Sequence, residues 1–123
     1  MKGTVNYSVV GNVAILEVDN PPVNPLSSGV RVGLKECFEK ANSDDSITGI
    51  ILKGAGNAFI AGADISEFGQ KVEGPDLHTT LAGIELSEKP VVAAINGPAL
   101  GGGLETALCC LLYTSDAADE ITG

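Results

Sequence analysis

Two short apolar runs in the sequence each lead directly into a glycine-rich loop. Residues 47–52 precede a loop over residues 54–64, and residues 91–95 precede a loop over residues 96–105. Both runs are too short for a stable helix and are rich in aliphatic side chains, which indicates strands covered on both faces in a parallel sheet. Because parallel strands end at the same edge of a sheet, we expect the two loops to lie side by side at a ligand-binding edge.

The amino-terminal part of the chain predicts a hairpin. Residues 5–10 and 13–18 are rich in β-branched side chains and flank Gly11 and Asn12, a pair suited to the positive φ angles of a tight turn. Two consecutive prolines then end the second strand, because proline cannot donate a hydrogen bond to a β-ladder. The protein is therefore expected to open with two antiparallel strands.

Two helices are predicted to connect the strands, the first capped by Ser27 or Ser28 and the second by Asp76. The first has an apolar stripe at helical spacing and an opposite charged face. The apolar stripe of the first helix consists of Val30, Leu34, Cys37, Phe38 and Ala41. Its charged face consists of Arg31, Lys35, Glu36, Glu39 and Lys40. The apolar face of the second helix consists of Leu77, Leu81 and Ile84. The order hairpin, helix, strand, helix, strand predicts an α/β fold with right-handed crossovers.

Composition narrows the class of protein. Of the 123 residues, 44% are hydrophobic, a fraction typical of a folded domain. The net charge of −9 argues against nucleic acid or an anionic membrane as a partner. No apolar run reaches the roughly 18 residues of a membrane-spanning helix, and no secretion signal is recognisable, so we expect a cytoplasmic location. Cys37, Cys109 and Cys110 lack the spacing of metal ligands and are interpreted as small apolar residues in a reducing compartment; no metal is predicted.

Several common site motifs are incomplete. Gly54 and Gly56 match the start of a dinucleotide-binding fingerprint, but Phe59 stands where its third glycine belongs, and neither loop has the Gly-Lys-Ser/Thr ending of a nucleotide P-loop. A hydrolase is disfavoured because no Gly-x-Ser-x-Gly elbow is present and the single histidine, His78, falls on the surface of a predicted helix.

The glycine triplet at residues 101–103 precedes a predicted helix. Glycines without Cβ atoms let a ligand approach backbone amides closely, and the amides of a first helical turn lack partners, so this segment suits an oxygen that becomes negative. Close packing of helix on sheet is the alternative explanation of the triplet. Glu105, the acid of this loop, is either a catalytic carboxylate or a first-turn residue favoured by the helix dipole. Asp64 is expected to cap residues 65–68, to line the site, or to do both.

Residues 20–26 (NPPVNPL), 58–65 (AFIAGADI) and 90–105 (PVVAAINGPALGGGLE) together resemble the amino-terminal half of the crotonase (enoyl-CoA hydratase/isomerase) family. The resemblance runs from Thr4 to Cys109 and is closest to the hydratase module of bifunctional enoyl-CoA hydratase/3-hydroxyacyl-CoA dehydrogenases. It implies a crotonase-like (ClpP/crotonase) α/β spiral of ββα units, here truncated, and a lyase that adds water to 2-enoyl-CoA thioesters in fatty-acid β-oxidation.

The resemblance also implies roles for individual residues. The amides of Ala63 and Gly102 would form an oxyanion hole for the thioester oxygen, and Glu105 would activate water. The implied substrate-binding residues are Val23, Leu26, Ala61, Ala63, Asp64, Ile65, Leu100, Gly102 and Glu105. Coenzyme A is then part of the substrate, and no separate cofactor is expected. Enolate-like charge on the thioester oxygen explains the need for fixed amides, since losing one such donor typically costs about 2.7–4 kcal/mol.

The carboxyl-terminal end departs from the family pattern, because the region of a second carboxylate is absent. We therefore interpret residues 1–109 as a partial hydratase domain with negligible activity and poor solubility alone, and residues 110–123 as a translated sequencing adaptor, with a natural acidic tail as the alternative. The complete parent is expected to form a homo-oligomer, a trimer, or to belong to a multifunctional β-oxidation enzyme. Alternative functions are an enoyl-CoA isomerase, a noncatalytic acyl-CoA-binding protein and a nucleotide-binding protein.

Overall fold

A computed structural model describes residues 2–67, 74–97, 106–107, 109–110 and 112–115 of the chain. Its elements, in chain order, are β1 (Thr4–Val10), β2 (Val13–Asp19), β3 (Pro25–Leu26), α1 (Ser28–Ser43), β4 (Gly49–Gly54), β5 (Gly62–Ala63), a 3₁₀ turn (Ile65–Glu67), α2 (Leu77–Glu85), β6 (Val91–Ile95) and β7 (Leu112–Ser115). The predicted order of hairpin, helix, strand, helix and strand is confirmed.

The main sheet has the strand order β1-β2-β4-β6-β7. Strands β1 and β2 form the predicted antiparallel hairpin, while β2, β4, β6 and β7 run parallel to one another. In this register Ile15 lies beside Ile51, which in turn lies beside Val92. The helices α1 and α2 connect successive parallel strands, as the predicted crossovers require.

The core lies between this sheet and α1. Every member of the predicted α1 stripe is buried, and alternate residues of β2, β4 and β6 complete the core. The other face of the central strand is only partly covered among the described residues, since Ile51 of β4 is half-buried. The prediction that this strand is covered on both faces is thus confirmed for one face alone.

The two helix starts differ. Asp76 caps α2 as predicted, because its carboxylate accepts a hydrogen bond from the Thr79 N–H at 2.7 Å. Ser27 occupies the cap position of α1, yet its hydroxyl makes no capping bond and donates instead to Asp64 at 2.6 Å. The Ser28 N–H, left without that cap, donates to a Glu67 carboxylate oxygen at 3.0 Å. Prediction of a serine cap on α1 was therefore wrong, and an acid distant in sequence takes its place.

Three further sequence interpretations have clear outcomes. His78 is exposed, as expected. Cys37 and Cys110 are buried within the core, where burial raises the pKa of both thiols, that of Cys110 to about 12. Such thiols behave as small apolar residues. Arg31, expected on the charged face of α1, is instead 7% exposed.

Strand β7 lies within residues 110–123 and extends the sheet beyond β6. The interpretation of that segment as an adaptor concerns its origin and stays a prediction. No helix in the part of the chain that the structure describes is long and apolar enough to cross a membrane.

Candidate functional site

The two glycine-rich loops meet at the carboxyl ends of β4 and β6. The Asn96 side-chain amide, directly after β6, donates to the carbonyl oxygens of Gly54 at 3.1 Å and Gly56 at 2.7 Å. A Cβ atom at Gly97 would collide with the Asn57 carbonyl oxygen, so glycine is required for this approach of the two backbones. The prediction that the loops lie side by side is confirmed for the described residues.

Glycine also shapes the first loop from within. Gly56 has a φ of +71°, a conformation that residues with a Cβ rarely adopt. A Cβ at Gly54 would collide with the carbonyl oxygens of Ala58 and Phe59, so the chain turns back tightly on the end of β4. The glycines that resemble a phosphate-binding motif thus serve a compact turn.

Asn24 connects the first loop to the region before α1. Its side chain is fully buried, and its amide nitrogen donates to three carbonyl oxygens of the loop. These belong to Ala55 at 3.0 Å, Ala58 at 3.0 Å and Phe59 at 3.2 Å. The Asn24 side-chain oxygen accepts from the Asn20 N–H at 3.0 Å, so both ends of the amide are satisfied. The φ of +57° at Asn24 is one that asparagine tolerates better than most residues.

The loop continues into a second, two-stranded sheet. The Ala61 N–H donates to the Asn24 carbonyl oxygen at 3.2 Å, and β5 then pairs in parallel with β3, with Ala63 beside Leu26. This small sheet fixes the backbone around Ala63, the described half of the implied oxyanion hole. Sequence reasoning missed β3 and β5 because two-residue strands carry no readable hydrophobic period.

Asp64 is a buried carboxylate, 8% exposed, saturated with protein donors. One oxygen accepts from the Ser27 hydroxyl at 2.6 Å and the Lys2 ammonium at 3.3 Å. The other accepts from the hydroxyl of Ser66 at 2.6 Å and its N–H at 2.9 Å. The Ser27 and Ser66 hydrogen bonds, opposed by desolvation, hold the pKa of Asp64 well below its usual range. Asp64 therefore caps the 3₁₀ turn, as one of its two predicted roles required.

Arg31 and Glu67 form a second buried polar connection. The guanidinium donates to the Glu67 carboxylate at 3.1 Å and to the carbonyl oxygens of Leu26 at 2.6 Å and Pro75 at 2.8 Å. Burial pushes the pKa of Glu67 upward, but the hydrogen bonds from Ser28 and Arg31 outweigh it, so the pKa lies below its ordinary value. Arg31 thus joins the 3₁₀ turn, β3 and the start of α2.

The implied substrate-binding residues fall into three groups. Val23, 49% exposed, and Ala61 and Ala63, both exposed, present apolar surface near the first loop. Leu26, 1% exposed, packs in the core, while Ile65 begins the 3₁₀ turn. Leu100, Gly102 and Glu105 lie outside the described residues. The distance between the Ala63 and Gly102 amides, and every role assigned to these residues, therefore stays a prediction.

Sequence reasoning missed Asn24 and Asn96. Each sits where a signal was present: Asn24 within the proline-rich turn after β2, and Asn96 between a buried strand and a glycine. Asparagine side chains commonly bond nearby backbone at such places. The carbonyl groups that accept from the two side-chain nitrogens are distant in sequence, so no local pattern identifies them.

Two further features bear on ligands. Within the described ranges, no group of three His, Cys, Asp or Glu side chains is placed to hold a metal ion.

A groove of about 620 Å³ lies between α1 and α2, with Phe38, Thr79 and Leu86 among its lining residues. The residues that line this groove include none from the described parts of the two glycine loops, so the groove and the candidate site are separate.

Comparisons with known proteins agree with this architecture. The sequence model of the family described as enoyl-CoA hydratase/isomerase matches residues 9–121. The chain is 50% identical to the peroxisomal bifunctional enzyme of Danio rerio over 99 residues, which cover 80% of this chain and 14% of that protein. It is 43% identical to the probable enoyl-CoA hydratase of Bacillus subtilis over 114 residues, 86% of this chain and 44% of that protein.

The fold is likewise similar to solved structures. A crystal structure of an enoyl-CoA hydratase/carnithine racemase from Magnetospirillum magneticum has a TM-score of 0.82 and 35% identity, covering 91% of this chain and 46% of that one. This chain thus spans less than half the length of each of these proteins. The crotonase-like α/β fold is confirmed for the part present, and the chain belongs to the enoyl-CoA hydratase/isomerase family.

Proposed function

We propose that the whole protein is an enoyl-CoA hydratase that adds water across the C2=C3 double bond of 2-enoyl-CoA thioesters in fatty-acid β-oxidation. The observation that carries the proposal is the contact of the two glycine loops at the carboxyl ends of β4 and β6, in a chain of this family. That contact places the segment before Ala63 beside the start of the segment that leads to Gly102. Two converging backbone amides are what an enolate-like oxygen requires.

In the proposed reaction the Ala63 and Gly102 N–H groups donate to the thioester oxygen. Glu105 removes a proton from water as the water oxygen attacks C3, and charge moves through C2 to the thioester oxygen. A proton from a second acid, the carboxylate of the family pattern whose region is absent from this sequence, then adds to C2 and completes the addition, and the proton held by Glu105 returns to solvent. Because charge on the oxygen grows only as the transition state forms, donors fixed in advance lower the barrier without tightening ground-state binding.

The test is hydration of crotonyl-CoA by the whole protein and by Glu105→Gln. A positioned general base contributes roughly 10²- to 10⁴-fold, so we expect kcat to fall by that factor while the thioester still binds. Glu85→Gln, the same change at an exposed residue of α2, is the matched control and is expected to retain full activity. Unchanged turnover in Glu105→Gln would contradict the role proposed for Glu105, whereas a whole protein that binds the thioester without hydrating it would favour a noncatalytic acyl-CoA-binding protein.

The same oxyanion loops would serve an enoyl-CoA isomerase, which moves a proton between C2 and C4. Incubating the whole protein with a 3-enoyl-CoA in parallel separates the two reactions by their products. Thermal protection by ATP or NAD, but not by acyl-CoA, would instead support the nucleotide-binding alternative. We expect full hydratase activity after dialysis against a chelator, since the proposal requires no separate cofactor.

Assembly and location belong to the same proposal. We expect the whole protein to form a trimer, or to belong to a multifunctional β-oxidation enzyme, and to reside in the cytoplasm. The names of several relatives place those proteins in peroxisomes, which makes the peroxisome the competing location. Light scattering of the purified protein and imaging of a fluorescent fusion decide these two points.

A further inference from the structure

Two asparagine side chains donate hydrogen bonds to carbonyl oxygens of the first glycine loop. Asn24 bonds the loop from the side of β2, and Asn96 bonds it from the side of β6. The partners of Asn24 are the carbonyls of Ala55, Ala58 and Phe59, and those of Asn96 are the carbonyls of Gly54 and Gly56. The turn after β4 is therefore restrained from both of its flanks.

The restraint continues to Ala63 without a gap. Asn24 also accepts from the Ala61 N–H, and the next two residues of the loop pair with β3, which begins directly after Asn24. A displacement of the Asn24 backbone or side chain would thus be passed to Gly62 and Ala63. Reacting groups must be held to within about 0.5 Å of their productive geometry for efficient catalysis.

We propose that Asn24 and Asn96 are positioning residues that fix the loop presenting the Ala63 amide to the thioester oxygen. Neither side chain needs to touch the substrate, because both act through the backbone of residues 54–61. The proposal rests on the hydratase function proposed above. It predicts that the side-chain N–H donors at both positions are needed for turnover more than for substrate binding.

An amide side chain suits this role. One asparagine nitrogen supplies two N–H donors, while the isosteric aspartate has none and would set a negative charge against carbonyl oxygens.

Asn42 provides a comparison elsewhere in the fold. Its nitrogen donates to the Phe38 carbonyl at 3.0 Å, and its oxygen accepts from Ser87 and Lys89, so it joins α1 to the segment before β6.

The test uses Asn96→Asp in the whole protein, with Asn42→Asp as the matched control. Asn96 is half-buried and therefore less enclosed than the fully buried Asn24, which makes it the milder of the two sites for replacement. Two quantities are measured: kcat and KM for crotonyl-CoA hydration, and hydrogen exchange of the peptide covering residues 54–64. A misplacement of about 1 Å can cost roughly 10²-fold in rate, so we expect a kcat loss of that order in Asn96→Asp with KM near the parent value. Exchange in residues 54–64 is expected to accelerate.

Asn42→Asp is expected to lower the unfolding temperature while leaving kcat and the exchange of residues 54–64 unchanged. Asn24→Asp is expected to act in the same direction as Asn96→Asp, and if it does not fold, Asn96→Asp decides alone. Unaltered kcat or unaltered exchange in Asn96→Asp overturns the proposal, as does an equal kcat loss in Asn42→Asp. A parent without hydratase activity contradicts the proposed function instead, and the exchange comparison then still decides whether the two asparagines hold the loop.

Discussion

Polar side chains are buried to different degrees at the two ends of the parallel strands. At the carboxyl ends of β2 and β4, polar and charged residues are buried, each less than a tenth exposed; they are Asn20, Asn24, Ser27, Arg31 and Asp64. At the amino ends, the polar contacts are only partly buried, as those of Asn42 with Ser87 and Lys89 are, or exposed. Asp44 accepts from Ser46 in an open loop, and the Thr48 N–H donates to the carbonyl oxygen of Asn12 in the hairpin turn.

Buried polar groups reduce stability unless each finds a partner, so their concentration at one end calls for a reason. Hydrogen bonds between groups that are buried from water define a single arrangement of the backbone. Apolar packing alone defines the backbone arrangement less sharply. The carboxyl-terminal end is also where the candidate site lies. We conclude that the fold concentrates its most deeply buried polar contacts where loops need one geometry, and leaves partly buried or exposed contacts at the other end.

Arg31→Ala would test that difference with the largest expected effect on stability. The variant leaves Glu67, whose side chain is 12% exposed, without its cation and removes the Arg31 donor from the Leu26 and Pro75 carbonyls. Removing one partner of a buried ion pair typically costs about 3–5 kcal/mol. Urea denaturation of the whole protein should show a loss of this size that persists at high salt. A loss near zero would mean that the polar contacts at the carboxyl ends of the strands contribute no more to stability than those at the amino ends.

Asp64→Asn should have an intermediate effect that depends on pH. The pKa of Asp64 is depressed in the folded protein by the hydroxyls of Ser27 and Ser66, so its contribution is complete above the unfolded value of about 3.9 and declines as pH falls through the folded value. At neutral pH the variant should lose about 1–3 kcal/mol, the cost of unsatisfied buried groups. Unfolding measured from pH 7 downward should show the two proteins converging below about pH 4.

Asp45→Asn is the control for that experiment, since Asp45 is exposed at the opposite end of the sheet. At neutral pH its free energy of unfolding should equal that of the parent, because the Asp45 side chain is exposed. A constant difference between Asp64→Asn and the parent across the whole pH range would contradict the role of the Asp64 charge.

Sequence reasoning succeeded where the signal is local. The Asp76 cap, the α1 stripe from Val30 to Ala41 and the strand β6 all follow from neighbouring residues, and each is confirmed. Helix and strand periods are set by the chain itself, so they can be read before the fold is known. The α/β class and the meeting of the two loops follow from these elements alone.

The missed features depend on partners far along the chain. Arg31 lies on the face of the helix that was expected to be exposed, and its burial depends on Glu67, brought in after β5, together with the carbonyls of Leu26 and Pro75. Ser27 has the sequence of a helix cap, but Asp64 competes for its hydroxyl. Asn24 and Asn96 act on carbonyl groups, which every residue possesses, so no pattern of side chains reveals them.

Lys35→Ala should have the smallest effect, although Lys35 lies one turn from Arg31 on the same helix. Its ammonium is 2.6 Å from the Glu39 carboxylate, closer than the buried pair, but both side chains are more than half exposed. Solvent screens such pairs, and a lysine preceding its glutamate by four residues is the less favourable order on a helix. Urea denaturation at low and high salt should give only a small difference from the parent, which disappears at high salt. If Lys35→Ala matched Arg31→Ala, distance rather than burial would govern these ion pairs, and the contrast between the two ends of the sheet would lose its physical basis.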